Sequence, residues 1–294
     1  MALVGMRERQ QERVRAMRKT MTAAIVAAAV IAPAAAQGQS WRTVTMSRQL
    51  EDNGEVRVFV DYGAGEFTVR SVDDGLLYRM NLKYDEDKFE PIADYSGERL
   101  HLGVESLRRN INISRRQSGS LELELARGVP MDLKLKFGAV QADIDLGGLA
   151  LTDLELSTGA SESLIDVSEP NPVPMEKASF EVGAAEFTIR NLANLRAEEI
   201  EVRAGVGSII LDFDGRWQRD AQVAVKMGVG SLELRVPEGL GVRLQKDSFL
   251  TALDSEGLIK RGDVYESPDF DDADYRIEVE LDVAFGSVAV VWIR

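Results

Sequence analysis

Around Gly183 the chain alternates apolar and polar residues. Ala178, Phe180 and Val182 are apolar, with Ser179 and Glu181 between them. A small apolar residue, Ala184, follows the glycine, and a second alternating run then falls on Phe187 and Ile189. The same order returns around Gly205, with Ile200, Val202 and Ala204 before it and Ile209 and Leu211 after it. It returns again around Gly228, between Val223/Val225/Met227 and Leu232/Leu234, and it follows Leu133/Leu135/Phe137 at Gly138. Period-two alternation predicts strands with one buried face. The step from the small residue after each glycine to the next apolar position is odd, so the alternation slips by one place. A slip at a glycine predicts a bulge or corner, which bends the strand while both halves keep their apolar side chains inward.

The spacings between Gly138, Gly159, Gly183, Gly205 and Gly228 are 21, 24, 22 and 23 residues. Regular periods of this size mark a stacked repeat architecture. One such unit cannot bury its inner face alone, and stacking neighbours bury it. The expected fold is therefore all-β: a repeat-built β-solenoid with a β-rich N-terminal region. A β-sandwich is the competing arrangement, and the regular period favours the solenoid. Gly63 and Gly286 supply two further copies, the second read as an atypical terminal repeat that closes the stack. The expected organisation is a leader over 1–36, an N-terminal β region over 37–128, packed against the repeats or continuous with them, and the glycine-repeat solenoid over 129–294. Between Gly228 and Gly286 the segment is longer than two repeats. Leu250 to Leu258 reads there as a short helix or an irregular rung, and "SPDFDDADYR" as a loop.

"PMDLKLKFGAVQADIDLGGLALTDLELSTGASESLIDVSEPNP" (Pro130 to Pro172) resembles bacterial toast-rack family proteins. These also resemble the C-terminal domain of LiaF-type cell-wall-stress proteins and the putative-adhesin β-solenoids. "GAGEFTVR", followed by "LLYRMNLKYDEDKFEPIADYSGERLHL", is similar to the N-terminal part of that family. The resemblance spans roughly the whole chain after the leader. It implies a β fold and an envelope or exported location, and it carries no catalytic residues. LiaF-type proteins restrain a sensor kinase and carry transmembrane helices, which this chain lacks, so that role is not implied.

The N-terminus reads as an address. After Met17, Arg18 and Lys19 precede an uncharged run from Ala23 to Ala36, too short to span a bilayer. "AAA" at Ala34 to Ala36 offers a signal-peptidase site, so cleavage after Ala36 is expected, with Met17 as an alternative start. The chain's formal net charge is −14. Without the first 36 residues it carries 29 basic and 47 acidic residues, a net charge of −18. A body this acidic repels phosphate-rich partners, so neither nucleic acid nor an anionic membrane is expected. There is no cysteine, which excludes disulfides, thiolate metal sites and a lipid-anchored cysteine. One histidine, His101, excludes a multi-histidine metal site.

Four features invite chemistry, each with a plainer reading. Asp269, Asp271, Asp272 and Asp274 form an oxygen-rich loop of the kind that binds calcium, yet the EF-hand spacing is absent and a solvated acidic loop is the default. Asp143/Asp145, Asp212/Asp214 and Glu122/Glu124 each share a strand face, as paired carboxylates of a glycosidase would, without a histidine or base placed to tune them. His101 lies between Leu100 and Leu102, so alternation turns it outward, and no G-x-S-x-G supplies a nucleophile. Arg108, Arg109, Arg115 and Arg116 form the one basic cluster, suited to an acidic partner or to a solvated turn. No catalytic, cofactor or metal residue is assigned. The expected function is a non-enzymatic exported envelope protein, an adhesin-like or scaffold module or a stress-response accessory, with an unidentified envelope protein or glycan as partner. The alternatives are a carbohydrate-active β-helix enzyme and a calcium- or ligand-binding module. Self-association through exposed strand edges is a further expectation.

Overall fold

The structure, a computed structural model, describes residues 40–107, 119–247 and 250–294. The leader and the arginine cluster lie outside the described residues. In chain order the strands are β1 (Trp41–Gln49), β2 (Val56–Val72), β3 (Leu76–Asp85), β4 (Phe89–Ser96), β5 (Arg99–Ser106), β6 (Gly119–Ala126), β7 (Pro130–Asp145), β8 (Ala150–Thr158), β9 (Glu162–Asp166), β10 (Met175–Arg190), β11 (Ala197–Asp212), β12 (Ala221–Pro237), β13 (Gly241–Lys246), β14 (Leu250–Asp254), β15 (Ile259–Arg261), β16 (Val264–Glu266) and β17 (Arg276–Ile293). All of them join one 17-stranded sheet.

The rungs are β2, β7, the broken pair β8/β9, β10, β11, β12 and β17, and each runs parallel to the next. Their register is nearly unbroken. Val182, Ala204, Met227 and Val283 stand in one line, and so do Phe187, Ile209, Leu232 and Val288. This is the repeat-built solenoid that the glycine period implies, and β2 makes the preceding β region continuous with it.

Each rung bends at its glycine, and the bend folds the sheet back over a shared core. Phe180 and Phe187 lie on opposite sides of the bend in β10, yet their rings meet edge-on with centroids 6.1 Å apart. Tyr62 and Phe67 also meet across the bend of β2, tilted, with centroids 5.8 Å apart, and Phe67 continues to Phe137 in the next rung at 5.3 Å. Burying aromatic side chains of this size supplies much of the driving force for stacking. In β11 the inward residues are Val202 and Ala204 before the bend and Ile209 and Leu211 after it. The slip sits one place earlier than the apolar positions suggest. Gly205 and Val206 both face outward, so the small residue after the glycine belongs to the surface.

Two glycine columns make the bend compact. In the first, a Cβ on Gly205 would approach the Gly183 carbonyl oxygen to 2.6 Å, and one on Gly228 would approach that of Gly205 to 2.6 Å. The second column stands two residues further on. Gly230 has φ +148° and Gly286 φ +139°, and a Cβ on Gly286 would lie 1.7 Å from the Gly230 carbonyl oxygen. Neither the backbone angle nor the spacing admits a side chain there. Gly286 therefore belongs with Gly207 and Gly230, and the residue of β17 that matches Gly228 is Ala284.

The ends of the stack are built alike. β5 and β6 run along the first and second halves of β2, backed by β4 and by β3 and β1 in antiparallel pairs. At the other end β13 and β14 run along the two halves of β17, and antiparallel β16 and β15 extend β13. The segment around Leu250 is thus a half-rung. It also follows that β17 does not close the stack. It lies between β12 and the cap, although it is the last strand in the chain.

On the turn side, buried asparagines tie rung to rung. Asn171 accepts a hydrogen bond from the Leu151 N–H (3.1 Å) and donates to the carbonyl oxygens of Leu151 (2.8 Å) and Leu195 (3.2 Å). Asn194, one turn on, donates to the Val167 carbonyl (2.7 Å) and accepts from the Arg216 N–H (2.8 Å). Buried turn backbone needs such partners, because no water reaches it.

Candidate functional site

The most developed surface feature follows from the bends. Because the first glycine column has no side chains, it floors a groove that crosses the rungs, with a volume of about 810 Å³. The floor runs through Gly138, Gly159, Gly183, Gly205 and Gly228 to Ala284. One wall is the outward position two residues earlier in each rung, where Lys136, Ser157, Glu181, Arg203, Lys226 and Asp282 stand in register. Arg203 reaches Glu201 at 2.6 Å and Glu181 at 3.5 Å.

Beside the floor, the residue after each glycine forms an exposed apolar ridge. Ala184, Val206, Val229 and Phe285 are paired in one line. Val206 is 54% exposed, Val229 46% and Phe285 52%. A row of large apolar side chains left open on a folded surface marks a place of contact. Beyond the ridge runs a polar column, Gln141, Glu162, Glu186, Ser208, Ser231 and Ser287. Period-two reading places the ridge residues inside, so the ridge is not read from the alternation. The one available signal was that two consecutive residues, a glycine and its follower, have to share the outer face at a bulge.

The residues singled out from sequence are spread over the molecule. Asp269, Asp271, Asp272 and Asp274 are each exposed, in a turn where the Asp272 N–H donates to the Asp269 carbonyl oxygen at 3.1 Å. Among the described residues no three His, Cys, Asp or Glu side chains gather as a metal site would require. Asp143 pairs with Arg70 at 2.8 Å, and Asp145 caps a turn by accepting from the Gly147 N–H (2.9 Å) and the Ser168 hydroxyl (2.8 Å). Asp212 accepts from the Asp214 N–H, Asp214 accepts from the Gly215 N–H, and Glu124 pairs with Arg79. His101 is half-buried, and its Nε2 lies 2.8 Å from Asp61 Oδ2, while Leu100 and Leu102 point into the core as alternation requires.

One carboxylate pair was not foreseen. A register shift at Met131/Asp132 sets Asp132 beside Asp153 on the next rung. Burial, and then the charge of Asp132, push the Asp153 carboxyl above the ordinary carboxylate range. Elsewhere, burial and then the charge of Glu66 push the Tyr62 phenol up, so Tyr62 stays neutral in the core.

A parallel stack of glycine-bent rungs, floored and ridged along its bends, defines a class of all-β repeat protein. The chain matches the family described as the N-terminal domain of toast_rack, DUF2154, over residues 36–190 and 170–235. It belongs to that family. Among solved structures it is similar to a candidate cell adhesion protein of Clostridium sporogenes, at 17% identity and TM-score 0.46, over 86% of this chain and 100% of that one. It is also similar to a candidate adhesin of Bacteroides fragilis, at 12% identity and TM-score 0.35, over 85% of this chain and 97% of that one. A third is a candidate lipid binding protein of Parabacteroides distasonis, at 10% identity and TM-score 0.37, over 86% of this chain and 97% of that one. No curated protein matches the chain. No helix among the described residues is long and apolar enough to cross a membrane.

Proposed function

We propose that the protein is a non-enzymatic, exported cell-envelope protein, an adhesin-like or scaffold module that works through its outer surface. The observation that carries this reading is the bend surface: a groove and an apolar ridge that repeat once per rung along the stack. Such a surface presents a new contact position at each rung spacing, about 4.8 Å, which suits an extended macromolecular partner better than a compact substrate. An envelope protein or glycan fits it. Nucleic acid fits poorly, because the chain's net charge is −14.

Co-sedimentation of the purified chain from residue 37 with isolated bacterial cell envelopes tests the reading. Binding is expected, and the double variant Val206→Asp/Val229→Asp is expected to lose it. Protease treatment of the envelopes distinguishes a protein partner from a glycan. No co-sedimentation, or equal binding by the variant, refutes the proposed surface. Export is tested separately by expressing the full chain: a product starting at Gln37 outside the cytoplasm is expected, and retention inside with an intact N-terminus refutes it.

A further inference from the structure

We propose that the bend surface receives a second copy of this chain, across a two-fold axis that lies along the strand direction between β10 and β11. The inference rests on reading that surface as a binding site and names its partner. Such an axis reverses the order of the rungs and sets each surface column against the same column of the other copy. β7 then faces β17, β8/β9 faces β12, and β10 faces β11.

Side-chain size along the ridge fits this register. Ala160 lies in the ridge line because Phe137 faces Thr158 and Gln141 faces Glu162 in the adjoining rungs. The ridge therefore tapers from Ala139, Ala160 and Ala184 to Val206, Val229 and Phe285. Reversal places Ala139 against Phe285, Ala160 against Val229 and Ala184 against Val206. Every contact is small against large, so the two corners stay evenly spaced along the interface.

The charged column fits the same register without adjustment. Lys136 meets Asp282, Ser157 meets Lys226 and Glu181 meets Arg203, each twice by symmetry. In the polar column Gln141 meets Ser287, Glu162 meets Ser231 and Glu186 meets Ser208, so each carboxylate faces a hydroxyl. From β7 to β17 no like charges oppose one another in either column; at the two ends Asp61 of β2, in line with Lys136, falls against Asp247 of the cap.

Other placements fail. An axis through β10 sets Lys136 against Lys226 and Glu181 against its own copy. An axis through β11 sets Arg203 against its own copy. An axis along the stack through the charged column opposes every charge to itself, and one midway between the charged and polar columns sets Glu181 against Glu186. Like-charge juxtaposition is the usual means by which wrong registers are rejected. With Asp61 included, this column carries three cations and three anions in a chain with 35 basic and 49 acidic residues, so here two acidic molecules can approach.

The test is sedimentation of the chain from residue 37 over a concentration series. A monomer–dimer equilibrium is expected. Arg203→Glu sets like charges together at two symmetry-related contacts, each worth roughly tenfold, and is expected to weaken the dimer roughly 100-fold. Glu181→Arg/Arg203→Glu is expected to restore it. The chain has no cysteine, so Ala160→Cys/Val229→Cys gives a second readout. Within one chain these positions are three rungs apart, about 14 Å, too far for a disulfide. Oxidation is therefore expected to yield linked dimers. The proposal is overturned if the wild type stays monomeric, if the dimer ignores Arg203→Glu, or if the cysteine pair fails to link. A monomer that still binds envelopes would sink this inference and leave the binding surface standing.

Discussion

Replacing Asn171 by alanine should be among the most damaging single changes in the protein, although the residue touches neither the groove nor the aromatic core. Its amide makes four hydrogen bonds: it accepts from the N–H groups of Leu151 and Val173, and donates to the carbonyl oxygens of Leu151 and Leu195. Asn171 is 3% exposed, and Leu151 and Leu195 are 1% and 0% exposed. Truncation leaves three backbone groups on buried residues without this partner, at about 1 kcal/mol or more each, so a loss of about 3 kcal/mol is expected. For a domain of this size each kcal/mol moves the midpoint by ~2–4 °C, which gives a fall in Tm of ~6–12 °C. Thermal and urea unfolding followed by circular dichroism measure it. Asn171→Leu separates polarity from volume, since it refills the space and restores no hydrogen bond. It should be no better than alanine. A fall under ~2 °C for alanine, or recovery by leucine, would refute the view that this amide bridges rung to rung.

Four further outcomes follow from the same geometry. Asp153 binds its proton more tightly folded than unfolded, so its ionisation removes stability as pH rises from the ordinary carboxyl value through its own. Asp153→Asn should therefore raise Tm at pH 7 and leave it unchanged at pH 3, and an equal effect at both values would count against the burial argument. Gly230→Val meets both a left-handed φ of +148° and a carbonyl oxygen 1.8 Å from its Cβ, so it should abolish cooperative unfolding or cost several kcal/mol, and a neutral result in urea would refute the close-packed bend. Phe187→Ala empties a fully buried aromatic site and should cost about 3–5 kcal/mol by the same assay. Truncation at Asp274 removes β17 from between β12 and β13/β14; the product should be insoluble or open to protease throughout, whereas a stable, cooperatively folding product would show that the last strand is dispensable.

The sequence alone determined the repeated strands, the presence of a bend at each glycine, and their stacking. Each rests on local rules: a side chain either alternates or does not, a glycine either interrupts the alternation or does not, and a period near 22 residues recurs because every rung solves the same burial problem. The outward turn of His101 and the inward set at Phe180, Val202 and Val225 were legible for that reason. What the tertiary structure decided was which residues meet across rungs. Gly286 aligned with Gly230 instead of Gly228 because parallel pairing fixes register over all of β17, while the local pattern fits either choice. β17 lies inside the stack because its two edges pair with β12 on one side and with the half-rungs β13 and β14 on the other. Asp132 came to lie beside Asp153 through one register shift, and Asn171 found Leu151 and Leu195 some twenty residues away on either side. The groove and ridge arise in the same way. A glycine, or Ala284 in β17, and its follower both face outward in every rung, and only the stacking of those rungs turns single exposed valines into a continuous surface.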